Sequence, residues 1–279
     1  MGVFGKSDKR KAFVDEKPTM PKNPTFSIII TSYNRPRLVA DAIIAARQQT
    51  FDDVEIIVAD DDSNDMTKGS IYAAADNDPR VRIFWSPRTL DPAERVAKLR
   101  YCVRINEVIP ELRGQFVTYC CDDDFLYPRA VQLYVAKFAT TPEAHVVYGR
   151  LRSISYDVGE QNSWNTQAPP ISGRTFPKFG EHDPAIGKIV NDASWQPDFF
   201  SPFGGRLDHN QVAHRVECYK ELGAAPWWPE GMENDVGDAA FFRRLDGLGH
   251  KAFSIDELVV SKRYHGRNHG KSGTSPVRE

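Results

Sequence analysis

No apolar run in this chain approaches the ~18–20 residues that a membrane helix needs. The amino terminus, MGVFGKSDKRKAF, has no apolar core of the signal-peptide kind. Cysteine is scarce, and Cys102, Cys120, Cys121 and Cys218 form no CxxC pair. That excludes a cysteine-based zinc site and a dithiol redox motif. Cys120 and Cys121, adjacent in an apolar run, point to opposite faces of a strand and read as small, reduced core residues of a cytoplasmic protein. Neither a Walker A sequence nor GxGxxG occurs. A bound pyrophosphate would therefore be held by side chains and metal rather than by a glycine-rich loop. Internal repeats and low-complexity tracts are absent as well.

What is present suffices for one large α/β domain of 279 residues. Hydrophobic residues make up 41% and charged residues 27%, the balance of an ordinary globular chain rather than a disordered one. Net charge is only −2, so charge alone selects no partner, but it is spread unevenly. Residues 1–24 carry six Lys/Arg against three acids and residues 261–279 carry five against one, which leaves about −9 for the middle. The first segment is expected to be a flexible basic arm and the last a basic polar tail. Either they are simply solvated ends, or they touch an anionic acceptor or lipid headgroups.

Between them, Phe26–Ile30, Val54–Ala59, Val81–Trp85, Phe116–Cys121 and His145–Gly149 are short apolar runs expected to form buried strands. Helical spacing alternates with them. Pro36 suits the first turn of a helix whose apolar face is Leu38, Ala42, Ile43, Ala45 and Ala46. Asp65 or Thr67 can cap a helix to about Ala75, and Pro92–Val108 and Pro128–Phe138 continue the pattern. Such alternation implies a mainly parallel sheet with right-handed crossovers, which binds ligands beyond the carboxyl ends of its strands. The pattern lapses from Asp157 to Asp208, a stretch too long for a plain connection and expected to act as a ligand-ordered lid. It resumes with a strand and helix in LDHNQVAHRVECYKELG, a helix opened by Asp238 with Gly249 as its stop, and a last strand or loop at Ile255–Ser261.

The chemistry concentrates where the apolar run Phe116–Cys121 meets Asp122, Asp123 and Asp124. A buried strand ending in carboxylates suits a hard divalent cation, which takes oxygen ligands and, in the case of magnesium, one or two carboxylates plus substrate phosphates. A second account is available, because Tyr127 and Pro128 read as a helix start and acidic residues favour helix N-termini. Three neighbouring carboxylates exceed what capping requires, and their mutual repulsion asks for a cation.

FSIIITSYNRPRLVADAIIAARQQTF, VEIIVADDDSND, AERVAKLRYCVRINEVIPELRGQFVTYCCDDDFLYP and VGDAAFFRRL, in that order, resemble the family 2 inverting glycosyltransferases with the GT-A fold. Within them the likeness is to the spore-coat polysaccharide subgroup, and it covers residues 25–150 and 205–260. It implies a single Rossmann-like domain whose mainly parallel central sheet is flanked by helices. Residues 25–125 would form the nucleotide-sugar half and residues 126–260 the acceptor half. By the same resemblance Thr31, Tyr33 and Arg35 hold nucleobase and ribose, although Tyr33 and Asn34 alternatively only shape a turn. Asp61 would accept the ring N–H of uracil or thymine. Arg95 and Arg100 would approach the diphosphate as bidentate donors, or else form ordinary surface ion pairs. Asp122 lies toward ribose or donor sugar, Asp123 binds the cation with Asp124 assisting, and His265, in competition with His269, is a further metal ligand. Asp238 is the catalytic base, with Asp235 as runner-up, and is also placed to cap its helix. Asp208, His209 and His214 match an acceptor-side segment, and Trp227 and Trp228 either stack on a sugar or belong to the core. Two departures stand out. Asp62 replaces the glycine of the usual DDGS loop, where Asp tolerates a left-handed backbone better than most residues. Gly237 replaces the glutamate that usually precedes the base.

The expectation is thus transfer of a sugar from a UDP- or dTDP-sugar to an acceptor hydroxyl by single displacement, with Mg2+ or Mn2+, in glycan or polysaccharide synthesis. Two enzymatic alternatives accompany it: glycosylation of hydroxymethylated pyrimidines in DNA, for which the basic tail speaks, and nucleotidyl transfer, which would release pyrophosphate. A non-catalytic nucleotide-binding module is a third.

Overall fold

The computed structural model describes residues 23–86, 99–155, 188–191, 208–227 and 237–264. Arg95, Trp228, Asp235, His265 and His269 lie outside the described residues, as do nearly all of the basic arm, most of the tail and nearly all of the expected lid.

The elements in chain order are β1 (Phe26–Ser32), α1 (Pro36–Arg47), β2 (Val54–Asp60), α2 (Asp65–Ala75), β3 (Val81–Trp85), α3 (Arg100–Val108), β4 (Phe116–Cys121), β5 (Asp124–Leu126), α4 (Ala130–Thr140), β6 (Val146–Ser155), β7 (Lys188–Asn191), β8 (Val212–Arg215), α5 (Cys218–Leu222), α6 (Gly237–Gly247) and β9 (Ala252–Tyr264). They build one sheet of order β3-β2-β1-β4-β8-β6-β9-β5, with β7 on β6. The β3-β2-β1-β4 half is parallel throughout. β8 enters antiparallel to both β4 and β6, which makes the whole sheet mixed.

Both faces of the sheet are covered, which explains why its strands read as continuous apolar runs. In β1, Phe26, Ile28 and Ile30 pack with α1, α2 and α4, while Ile29 faces the opposite core with α3 and α6. α1 opens on Pro36, where the missing N–H has no intrahelical use. α2 is capped by Asn64 rather than Asp65 or Thr67: its Oδ1 accepts from Thr67 N at 2.9 Å. Only the residue just ahead of the helix has the extended backbone that aims a side chain at those amides, and Asn64 has it, with ψ 166°. Among the described residues no helix is long and apolar enough to cross a membrane.

Two boundaries differ from the sequence reading. Asp124 opens a short strand, β5, instead of leading into a helix, and α4 begins only at Ala130. The dipole account of the triplet therefore fails, since no helix starts there. β9 continues to Tyr264, through what reads as the start of the polar tail, and pairs antiparallel with β5 (Asp124 opposite Lys262, Leu126 opposite Val260). It can do so because Arg263, 0% exposed, is compensated inside the protein. Its Nη1 donates to Asp41 Oδ2 of α1 at 2.7 Å, and its Nε donates to Asp123 O at 2.5 Å. Nη2 donates to the carbonyls of Leu38 at 3.1 Å, Asp122 at 3.3 Å and Asp124 at 3.4 Å.

The second core contains one polar network. Tyr119 OH donates to His214 Nε2 at 2.5 Å, and His214 Nδ1 donates to Arg215 O at 2.8 Å. Tyr219 OH bonds Tyr119 OH. Burial pushes the His214 imidazole down to about 4, so it stays neutral. The acceptor-side position read for His214 is thereby corrected: it is a core residue with 0% exposure.

Arg263→Met removes the cation facing buried Asp41 and is expected to lower stability by about 3–5 kcal/mol in denaturant unfolding. Asp41→Asn with Arg263→Met should recover part of that loss. His214 has a pH consequence. Its folded pKa, about 4, lies below the ordinary 6.5, so the unfolded chain takes up the proton first. The stability it contributes is complete above 6.5 and is lost as pH falls toward 4. Between pH ~7 and ~5 the unfolding midpoint should therefore fall further in the wild type than in His214→Gln, and equal falls would assign the effect to other groups.

Candidate active site

Strand register brings the loops together. Thr31 stands beside Cys121, and Ser32 beside Asp60. Asp61 N donates to Ser32 O at 2.9 Å and Asp122 N to Thr31 O at 3.0 Å. The carboxyl ends of β1, β2 and β4 thus lie at one level.

The first two loops brace each other. Asp60 accepts from Ser63 N at 2.8 Å and from Ser63 Oγ at 2.6 Å. Ser63 Oγ accepts from Asn34 N at 2.9 Å, and Asn34 Oδ1 accepts from Asn64 N at 2.8 Å. Asn34 and Asp62 both adopt left-handed backbone, with φ 49° and 63°. Asp62 thus holds the conformation for which glycine is usual. Asp61 meets Arg100 in a fork, Oδ2 taking Nε at 3.1 Å and Oδ1 taking Nη2 at 2.6 Å. The Tyr33 side chain is exposed, and its N–H donates to Asp122 Oδ2 at 3.0 Å.

Arg35 spans two members of the triplet. Its Nη1 lies 2.7 Å from Asp122 Oδ1 and 2.8 Å from Asp123 Oδ2. Burial works against the charge on Arg35, but the two carboxylates outweigh it and hold the guanidinium firmly protonated. Burial pushes Asp122 up, and Arg35 draws it partly back. Asp124 goes up further, through burial and the neighbouring Asp123, even though its oxygens accept from Arg263 N at 3.0 Å and Asn210 Nδ2 at 2.8 Å.

The side chains of Cys121, Asp123 and Asp124 bring ligand atoms within 4.8 Å of one another. Two buried carboxylates side by side are the donor set a hard cation suits. The thiol is not: burial and then Asp123 push Cys121 well up, so it remains S–H. Asp123 and Asp124 therefore fit Mg2+ or Mn2+, with Asp123 the more accessible of the two.

The far wall comes from β8, β9 and α6. Asp208 pairs with Lys262 of β9. Burial pushes the Asp208 carboxyl up, but Lys262 and then His209 outweigh it, and the net direction is down. Asn210 links the walls, donating from Nδ2 to Asp208 Oδ1 at 2.6 Å as well as to Asp124, while its Oδ1 accepts from Cys121 N at 2.8 Å. His209 stacks on Tyr101 with centroids 5.2 Å apart. Its Nε2 is 3.4 Å from Cys121 Sγ and its Nδ1 3.6 Å from Asp238 Oδ2. Asp238 lies within the first turn of α6 rather than capping it. The glycine before it has a steric cause, since a Cβ at Gly237 would collide with Cys102 Sγ and Tyr101 OH.

Thr31, Arg35, Asp61, Arg100, Asp122, Asp123, Asp124, Asp208, His209 and Asp238 are thus gathered around the strand ends. Trp227 is not. It is 0% exposed, stacked on Phe241 at 4.4 Å, with its N–H and carbonyl tied to the Asn106 amide at 2.9 and 2.7 Å. Its acceptor-side reading is corrected to a core one, because no sugar can reach a ring packed on both sides. Sequence reasoning passed over Cys121, Asn210, Lys262 and Arg263. The first two adjoin residues already singled out, and that adjacency was the available signal. The last two sit in what reads as a polar tail and carry none.

Residues 27–189 match the family described as Glycosyl transferase family 2, more than half of the chain. Protein CgeD of Bacillus subtilis (strain 168) is 29% identical over 223 residues, covering 80% of this chain and 46% of CgeD. Staphylococcus aureus TarS in complex with UDP-GlcNAc superposes with TM-score 0.59 at 16% identity, over 90% of this chain and 62% of that one. The mannosyltransferase PcManGT of Pyrobaculum calidifontis, in complex with GDP-Man and Mn2+, gives TM-score 0.54 at 15% identity, over 91% of this chain and 61% of that one. The chain spans less than half of CgeD and under two thirds of the two structural neighbours. At such identities the superpositions establish the GT-A fold. With the family match spanning β1 to β7, the chain belongs to glycosyl transferase family 2.

Proposed function

We propose that this chain is a metal-dependent inverting glycosyltransferase that moves a sugar from a UDP- or dTDP-sugar to a hydroxyl of a glycan acceptor. The observation that carries the reading is the pairing of an acidic seat at Asp123 and Asp124 with a separate carboxylate, Asp238, on the opposing wall. Thr31 and the loop through Arg35 line the nucleoside side. The Arg100 fork orients the Asp61 carboxylate, whose remaining lone pairs accept the N–H of the pyrimidine ring. Arg100 on this reading serves the base through Asp61 rather than gripping the diphosphate. Asp123 and Asp124 would hold Mg2+ or Mn2+, which when bound neutralises charge growing on the leaving diphosphate. Asp238 takes the proton of the acceptor hydroxyl as that oxygen bonds to the anomeric carbon and the bond to the diphosphate oxygen breaks. A base on the face away from the leaving group gives inversion.

A glycan acceptor is favoured over DNA by the two tail cations that lie among the described residues. Lys262 is spent on Asp208 and Arg263 on Asp41, so neither adds to a phosphate-binding surface. The test is a panel of UDP- and dTDP-sugars with Mn2+, read by the diphosphate released. One donor should turn over and chelation should stop it. Silence across all donors and acceptors would remove the enzymatic reading, and release of pyrophosphate would replace it with nucleotidyl transfer.

Asp238→Asn is expected to lower kcat by about 10²–10⁴-fold while UDP binding is retained. A nucleotide-binding module would lose nothing by that change. Asp123→Asn should weaken Mn2+ binding, read directly by the free Mn2+ signal in electron paramagnetic resonance, and should leave the fold intact.

A further inference from the structure

We propose that His209 is the positioning residue for Asp238, donating from Nδ1 to one carboxylate oxygen, with the Cys121 thiol fixing the imidazole tautomer. The inference rests on Asp238 being the base. His209 lies in the 3-10 turn His209–Gln211 ahead of β8 and is 7% exposed. Its buried Nδ1 has no partner within hydrogen-bond distance among the described residues. Two carboxylate oxygens lie just beyond that distance, Asp238 Oδ2 at 3.6 Å and Asp208 Oδ1 at 3.9 Å. Asp208 Oδ1 already accepts from Asn210 N at 3.1 Å and Asn210 Nδ2 at 2.6 Å, and Oδ2 takes Lys262. Asp238 is the nearer of the two and the one whose orientation matters to proton transfer.

The tautomer follows from the other ring nitrogen. Nε2 faces Cys121 Sγ at 3.4 Å, and a thiol S–H donates while Nε2 accepts. The ring proton then sits on Nδ1, toward Asp238. The ring cannot swivel away, because Tyr101 lies flat on one face and the edges of Tyr119 and Trp227 close the sides, with centroids at 6.0 and 5.6 Å. A gap of 3.6 Å is that of a bond made only when substrates close the site, as catalytic hydrogen bonds often are. The arrangement is a base oriented by a second group, itself fixed by a third.

The test uses the full chain with its donor, acceptor and Mn2+. His209→Phe keeps the stack and removes the donor. His209→Asn places an amide N–H close to where Nδ1 stood. His209→Phe should lower kcat by about 10²-fold with acceptor KM and UDP affinity little changed, the effect of a misaimed group. His209→Asn should recover about tenfold of that loss. Cys121→Ala should cause a smaller fall in kcat in the same direction. Full kcat in His209→Phe, or equal loss in the Phe and Asn variants, overturns the proposal and leaves the base assignment standing. Full turnover by Asp238→Asn overturns both. Where His209→Phe does not fold, Asn is compared with Gln, whose amide reaches the Nε2 position instead, and equal kcat for the two overturns it.

Discussion

The guanidinium of Arg263 is the interaction on which the rest of the site depends. It sits in the interior against Asp41 of α1 and gathers the carbonyls of Asp122, Asp123 and Asp124. Backbone oxygens of three consecutive residues would otherwise point at one another or into an apolar core, where an unsatisfied polar group costs about 1–3 kcal/mol. A single planar cation with five donors satisfies them and fixes how their side chains fan outward. Lysine could not do this with a point charge. The same contact anchors the end of β9 beside β5, so the sheet's last strand and the acidic triplet are set by one residue.

The carboxylates around the strand ends are kept apart by assignment to different partners. Asp61 takes Arg100, Asp122 and Asp123 share Arg35, Asp124 takes Asn210 and a backbone amide, and Asp208 takes Lys262. Two like charges about 4 Å apart repel by about 4 kcal/mol at an effective dielectric of 20. Without these partners the cluster would be neutralised by protonation, the direction in which burial already pushes Asp122 and Asp124. Among the described residues the hydrogen bonds to the Asp124 carboxylate come from neutral donors, and Asp123 shares Arg35 with Asp122. Those two are therefore the carboxylates with most to gain from an added divalent ion, and Asp123 is the most accessible of the three.

Much of this was legible in the sequence where a local rule governs it. The parallel half of the sheet follows from apolar runs of β length separated by helical spacing, and Pro36 marks the start of α1. Asp62 was readable as a left-handed residue because a motif position demanded one. What escaped were contacts between residues far apart in the chain. Arg263 and Asp41 are 222 positions apart, and a lone arginine among Ser, Lys and Tyr has the look of a solvated tail. β5 is three residues long, too short for a period to declare itself, and it exists only because β9 pairs with it. Trp227 and His214 read as site residues because aromatic and imidazole side chains serve cores and sites alike, and only burial separates the two.

The first turn of α3 shows how the two walls around the strand ends are tied mechanically. Successive helical residues point about 100° apart, so three in a row address three different neighbours. Arg100 forks onto Asp61 at the end of β2, Tyr101 lies flat on His209, and Cys102 fills the space next to Gly237. The residue preceding Asp238 must then be small because Cys102 and Tyr101 already occupy its side-chain volume. A glutamate there would have to displace the Cys102 and Tyr101 side chains. Tyr101 thus bounds the space at Gly237 and stacks on His209 at the same time. α3 therefore holds Asp61, His209 and the approach to Asp238 in one packing arrangement.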